Sequence, residues 1–202
     1  PRAAVGFSFG LLLAVLVKAG LMSDVSEEVE GAVEAMRHQQ MQLRTDVPAV
    51  QNPAKRYAGQ LVDRYVAVFG SDYLTPVARR WKTQINELAK GWAQFEFLPE
   101  ADHNTLAGVV NPEELLTKIV AVFLQAPSDH PRNTLRAELT RAAFMQEGIA
   151  TDMYRAKGAR PLDHIWTALH FGDYLAYYLA IAYGVDPTPV DALEGLKMAL
   201  RR

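Results

Sequence analysis

The chain contains no cysteine. That absence excludes a disulfide framework, a thiolate metal site and a cysteine nucleophile, and it fits a reducing, cytoplasmic setting. Long hydrophobic runs are missing too. The longest, Gly10-Leu-Leu-Leu-Ala-Val-Leu-Val17, is stopped by Lys18, well short of the roughly 20 apolar residues that span a bilayer. Neither charge sign dominates: 21 Lys and Arg stand against 23 Asp and Glu, for a net charge of −2. The electrostatic footprint of a general nucleic-acid binder is therefore absent. No Gly-x-Gly-x-x-Gly follows a strand-like segment and no Gly-Lys-Ser/Thr occurs, so nucleotide binding has no motif to rest on.

What is present is enough for a packed core. Half of the 202 residues are apolar and 22% are charged, which rules out wholesale disorder. The chain starts at Pro1 rather than Met, as expected of a fragment or a processed product. Arg2 ahead of an apolar stretch has the look of a signal peptide, but the stretch runs directly into Lys18-Ala-Gly20.

Residues 3–19 are apolar nearly all round, the pattern of a buried or interface helix, with Gly20 as its C-cap. Ser23-Asp24 and Ser26-Glu27-Glu28 open a second helix that reaches about Arg44. The prolines of Val47-Pro-Ala-Val-Gln-Asn-Pro53 break it, and the domain boundary is placed there: a helical extension over 1–47 and a domain over 53–202. Beyond the break the period alternates. Strands are expected at Tyr65–Phe69, Trp92–Phe97, Ile119–Leu124 and Ile149–Arg155. Helices are expected at Ala54–Asp63, Thr75–Lys90, Arg132–Gly148, Leu162–Tyr183 and Pro189–Arg202. Strand and helix in alternation predict an α/β fold, a parallel sheet covered by helices on both faces.

Ligands of such sheets bind outside the carboxyl ends of the strands. The candidates are therefore Ser71-Asp72, Glu100-Ala-Asp-His-Asn104 and Ser128-Asp-His-Pro-Arg132. Two of the three set a histidine after an acid, the raw material of proton transfer. Burial at the sheet edge would raise Glu100 towards the range of a general base, whereas the rival reading makes it a first-turn helix acid. His103 and Asn104 either orient that carboxylate or satisfy backbone groups. His130 is a candidate acid/base group or a solvated loop histidine, and Asp129 reads as a turn residue. Ser71, after Gly70, could cradle a phosphate or sugar hydroxyl. His164 and His170 lie six apart and not at the i, i+4 spacing of a helical metal pair, so they are expected to cap or line a helix. Arg79-Arg80-Trp81-Lys82 reads as a solvated helix face.

Taken together, Pro1-Arg-Ala-Ala-Val-Gly6, Arg80-Trp-Lys-Thr-Gln-Ile-Asn86, Pro99-Glu-Ala-Asp-His-Asn104, Asp129-His-Pro-Arg132, Gly172-Asp173-Tyr174 and Val185-Asp-Pro-Thr-Pro-Val190 resemble, in order and approximate spacing, the bifunctional phosphoglucose/phosphomannose isomerases of the sugar-isomerase (SIS) class. The resemblance implies a three-layer α/β/α SIS domain. It also implies aldose–ketose isomerisation of hexose 6-phosphates through a cis-enediol(ate), without metal or organic cofactor. Glu100 would be the base, His130 would assist ring opening by reaching a neighbouring subunit's site, Lys197 would also assist ring opening, and Arg2 would stabilise the enediolate charge. Thr188 would shape the pocket near C2. Such enzymes carry two SIS domains, and this chain corresponds to the second. The partners implied are a sugar phosphate, the missing N-terminal SIS domain and a second copy in a C₂ homodimer, with no nucleic acid and no membrane. Two rivals keep the fold and change the role: a non-catalytic sugar-phosphate-binding module, or a dimerisation domain built on the apolar 3–19 helix.

Overall fold

The computed structural model describes residues 3–201. Nine α-helices and four strands follow one another among them: α1 (Val5–Lys18), α2 (Ser26–Leu43), α3 (Pro53–Leu61), β1 (Tyr65–Ser71), α4 (Thr75–Leu88), β2 (Ala93–Leu98), α5 (Glu100–His103), α6 (Glu113–Leu116), β3 (Ile119–Gln125), α7 (Pro131–Gln146), β4 (Ala150–Arg155), α8 (Pro161–Ala182) and α9 (Asp191–Ala199). Short 3-10 turns occupy Asp72–Leu74 and Thr105–Gly108.

The four strands form one parallel sheet in the order β2-β1-β3-β4. Every strand carries a two-residue alternation that splits the core in two. Val66, Val68, Val120, Val122 and Leu124 point into one layer with α3, α4 and α8. Phe69, Ala121 and Phe123 point into the other, where Ala137 and Phe144 of α7 and the 98–116 segment close over them. β3 is buried on both faces, as its unbroken apolar run requires. Phe69 and Phe123 stack at 4.7 Å and Phe144 meets Phe69 edge-on at 5.5 Å.

Motifs on α4 and α8 lock the first layer. Trp81 is buried and its Nε1 donates to the Ala168 carbonyl at 2.8 Å, while Arg80 pairs with Asp173 at 3.1 Å. The indole lies against Gly172, where a Cβ would come within 2.3 Å of it. The run Arg79–Lys82 is thus not a purely solvated face, because its tryptophan is core and only Arg79 is freely exposed. Helical periodicity turns position 81 inward, towards the sheet, two residues after the exposed position 79.

The ends of the chain differ from this interior. α1 has no buried residue, and Phe7, Leu11, Leu12 and Val15 are exposed. Its contact with the body runs through Trp166, whose ring meets Phe9 edge-on at 5.1 Å. α9 likewise has no buried residue. No helix among the described residues is long and apolar enough to cross a membrane.

Candidate active site

The sheet order puts the reversal of strand order between β1 and β3. The chain leaves β1 through α4 to reach β2 and leaves β3 through α7 to reach β4, so the loops after β1 and β3 diverge at neighbouring strands. That divergence opens the crevice in which α/β sheets bind ligands. Gly70 makes the turn after β1 possible, since a Cβ there would lie 2.6 Å from the Leu74 carbonyl oxygen. Ser71, the last residue of β1, is buried beside this turn.

Across the crevice, the N-terminal half of α7 ties three loops together. Asn133 donates to Asp72 at 2.8 Å and accepts from Arg136 at 3.0 Å. Arg136 also lies 3.8 Å from Asp102, which accepts from Thr140 at 2.6 Å. Thus α5, which begins with Glu100, is fastened to the same helix that His130 opens. His130 is the N-cap of α7 and accepts the Arg132 N–H on Nδ1 at 3.1 Å.

Glu100 is exposed, contrary to the burial expected of it at the sheet edge. The proline-terminated strand ends below it, and the one-turn helix lifts the carboxylate into solvent. Asn104 holds it by donating from Nδ2 at 2.9 Å, while Asn104 Oδ1 accepts from the Thr105 N–H at 2.6 Å. Asn104 therefore does both jobs foreseen for it: it orients the carboxylate and satisfies a backbone group. His103 is exposed. A second carboxylate stands nearby: Glu96 on β2 is raised by burial, with the Thr105 hydroxyl opposing and Glu100 adding to the rise. Sequence reading missed Glu96. Its signal was the four-residue spacing to Glu100 across a strand end.

On the β3 side, Asp129 is buried and accepts the Ala126 N–H at 2.7 Å, the turn role read for it. Burial raises its carboxyl, the Ala126 bond opposes, and Asp72 raises it further. Ser128 bonds Tyr73 on one side and His164 Nδ1, at 2.6 Å, on the other. His164 lines α8, as expected, and is buried, with Nε2 3.1 Å from the Gly158 carbonyl.

The structure does not bring all the expected residues together. Lys90, which lies at the amino edge of the sheet between α4 and β2, holds the Pro189 carbonyl. Thr188, one residue earlier, therefore sits at the edge opposite Glu100. Lys197 is exposed further along α9, and no bond links it to Glu100 or His130. Arg2 lies outside the described residues. Five cavities of 350 to 650 Å³ are lined by none of Glu100, His103, Asn104, His130, Ser71 or Lys197. Glu100, His103, Asn104, Ser128 and His130 are all exposed at the strand ends, whereas Ser71 is buried. Among the described residues, no three or more His, Asp or Glu side chains gather closely enough to hold a metal ion.

The chain resembles known proteins over nearly its whole length. The chain is 34% identical to the bifunctional phosphoglucose/phosphomannose isomerase of Caldicellulosiruptor bescii over 99% of its own length and 59% of that protein's. It is 31% identical to the protein of the same name from Aquifex aeolicus, again over 59% of it. The chain thus spans about three-fifths of the length of these relatives. Among solved structures it superposes on a glucose-6-phosphate isomerase-like protein from Thermus thermophilus with a TM-score of 0.72 and 27% identity, over 86% of this chain and 57% of that one. A glucosamine-6-phosphate deaminase from Thermotoga maritima, 13% identical with a TM-score of 0.58, shares the fold alone. The model of the bacterial phospho-glucose isomerase C-terminal SIS domain matches residues 50–200, and the chain belongs to that family.

Proposed function

We propose that this chain supplies the proton-transfer half of an aldose–ketose isomerase acting on hexose 6-phosphates. The observation that carries the reading is that α5, which opens on Glu100, is tied through Asp102 to α7, the helix that His130 caps, so that the two residues belong to strand ends held by one helix. In this reading Glu100, oriented by Asn104, moves a proton between C1 and C2 through a cis-enediol(ate). The neighbouring Glu96 carboxylate helps to keep that proton in reach. His130 presents Nε2 to the sugar ring, and Arg2 balances the enediolate charge. Ser71 and His103 border the substrate. Because Lys90 holds the C-terminal segment at the opposite edge, Lys197 and Thr188 would serve the Glu100 end of a second copy in the homodimer and not that of their own chain.

The exposure of these strand-end side chains fits a site closed by more protein. The domain over 53–202 would work with the extension over 1–47 leading from a preceding SIS domain that grips the phosphate, within a C₂ homodimer. The same exposure favours a second reading, a sugar-phosphate-binding module without turnover.

Fructose 6-phosphate isomerisation, measured by a coupled assay on this chain and on a form extended upstream through the preceding domain, tests the reading. Activity confined to the extended form is expected, and Glu100→Gln should lower it by about 10²- to 10⁴-fold. Inactivity of both forms would transfer the assignment to the binding module.

A further inference from the structure

We propose that Ser128 and His164 form a second proton-transfer pair in the crevice, taking the proton of the sugar's anomeric hydroxyl during ring opening. The proposal rests on the isomerase reading above and adds residues to it.

The direction of the hydrogen bonds leads to this pair. The Gly158 carbonyl can only accept, so His164 Nε2, 3.1 Å away, carries a proton. In the neutral ring Nδ1 is then the bare nitrogen, and Ser128 Oγ, 2.6 Å from it, must donate. The Ser128 oxygen accepts in turn from the Tyr73 hydroxyl. A serine hydroxyl that donates to a histidine with a fixed tautomer has the arrangement of an activated group. His164 is 1% exposed, whereas Ser128 is exposed at the carboxyl end of β3. The base is hidden and the hydroxyl is presented.

His130 is arranged differently. Its Nδ1 already accepts the Arg132 N–H at the start of α7, so its free Nε2 carries the proton. A second proton would have to enter at Nδ1 and displace the cap bond. His164 takes a proton at Nδ1 without losing a partner, since the resulting N–H points at Ser128 and Nε2–H keeps Gly158. Asp129, buried and within electrostatic reach of His164, supplies the charge that balances an imidazolium. The two histidines therefore divide the work. His130 donates a hydrogen bond to the ring oxygen, and His164 accepts the proton through Ser128.

The step balances as follows. The anomeric O–H bond breaks and its proton passes to Ser128 Oγ as the serine proton passes to His164 Nδ1. The released electron pair forms the C1 carbonyl. The C1–O5 bond breaks towards the ring oxygen, which leaves as a hydroxyl after taking a proton from solvent under the His130 hydrogen bond. His164 returns its proton to solvent once the chain form is bound.

The extended form of the protein is used for the test, with Glu100→Gln as the parent so that carbon-proton transfer is silenced. Anomerisation of glucose 6-phosphate is followed by exchange NMR. Ser128→Ala is expected to lower protein-catalysed anomerisation at least tenfold, and Ser128→Thr to restore most of it. His164→Gln, which can still bond Ser128, is expected to match Ser128→Ala. A role confined to pinning the loop would leave His164→Gln close to the parent. Long-range ¹⁵N–¹H spectra of histidine-labelled protein should show His164 protonated on Nε2, with Nδ1 shifting in Ser128→Ala. Protonation on Nδ1, or a Ser128→Ala protein that anomerises as fast as its parent, overturns the proposal while leaving isomerisation by the unsubstituted protein intact. If the unsubstituted protein neither isomerises nor anomerises the sugar, the isomerase reading fails and the proton pair falls with it.

Discussion

Replacing Gly172 by alanine separates two effects of opposite sign. In the interior of a helix such as α8, Gly→Ala ordinarily stabilises by about 0.5–1 kcal/mol, because alanine loses less backbone entropy. Here the new Cβ would lie 2.3 Å from Trp81 Cδ1 and Nε1, more than 1 Å inside the 3.4 Å at which ordinary contact begins. The indole cannot step aside cheaply. It is 1% exposed, bonded to the Ala168 carbonyl, stacked on Phe171 at 5.8 Å and packed against Tyr154 at 5.5 Å. Overpacking of this kind costs about 1–3 kcal/mol, and loss of the indole bond adds about 1 kcal/mol. After subtraction of the helix gain, Gly172→Ala should destabilise the chain by about 1–3.5 kcal/mol. Urea unfolding measures this, read as a fall in midpoint at constant slope. In a Trp81→Leu background the ring is gone, and the same substitution should become neutral or stabilising by up to about 1 kcal/mol. A Gly172→Ala protein as stable as the parent in the Trp81 background would refute the close-approach argument. So would an equal cost in both backgrounds.

Other substitutions report on the site and the second layer. Gly70→Ala puts a Cβ 2.6 Å from the Leu74 carbonyl oxygen, and with backbone on both sides of the clash it should cost at least about 2 kcal/mol and shift Ser71, read by thermal unfolding. Phe123→Ala opens a cavity beneath stacked Phe69 and should cost about 3–5 kcal/mol in the same assay. Burial holds the Asp129 carboxyl above its ordinary 3.8 in the folded chain, so the folded state binds the proton more tightly than the unfolded one. That contribution to stability is present below pH 3.8 and lost as pH rises through the folded value. Asp129→Asn, which keeps an acceptor for the Ala126 N–H, should flatten this part of the stability–pH curve, and an unchanged curve would count against burial as the cause.

Much of the site's composition was legible in the chain, because strand ends are marked by punctuation. Gly70-Ser71 and Leu98-Pro99 stop their strands, and Pro131 starts a helix, so Glu100 and His130 fall at the carboxyl edge by counting alone. Their surroundings were not legible. Glu100 reads as a buried base or a first-turn acid with equal ease, and one helical turn makes it exposed. Trp81 within a basic run reads as surface, yet the face it occupies is set by where α8 lies. His164 has no sequence neighbour that marks it, since Ser128, Tyr73 and Gly158 come from three separate loops. Thr188 and Lys197 follow α8, whose 22 residues carry the chain back to the amino edge, and no local pattern reports that distance.

The sequence by itself determined the element types, their order and the parallel sheet, because each rests on short-range periodicity and on right-handed crossovers that hold for any chain of this pattern. Tertiary structure alone decided which titratable groups meet, how deep each lies and which way each hydrogen bond points. Those properties depend on side chains distant in sequence being packed to within a few tenths of an ångström, and the packing of α4 and α7 on opposite faces of the sheet sets that spacing.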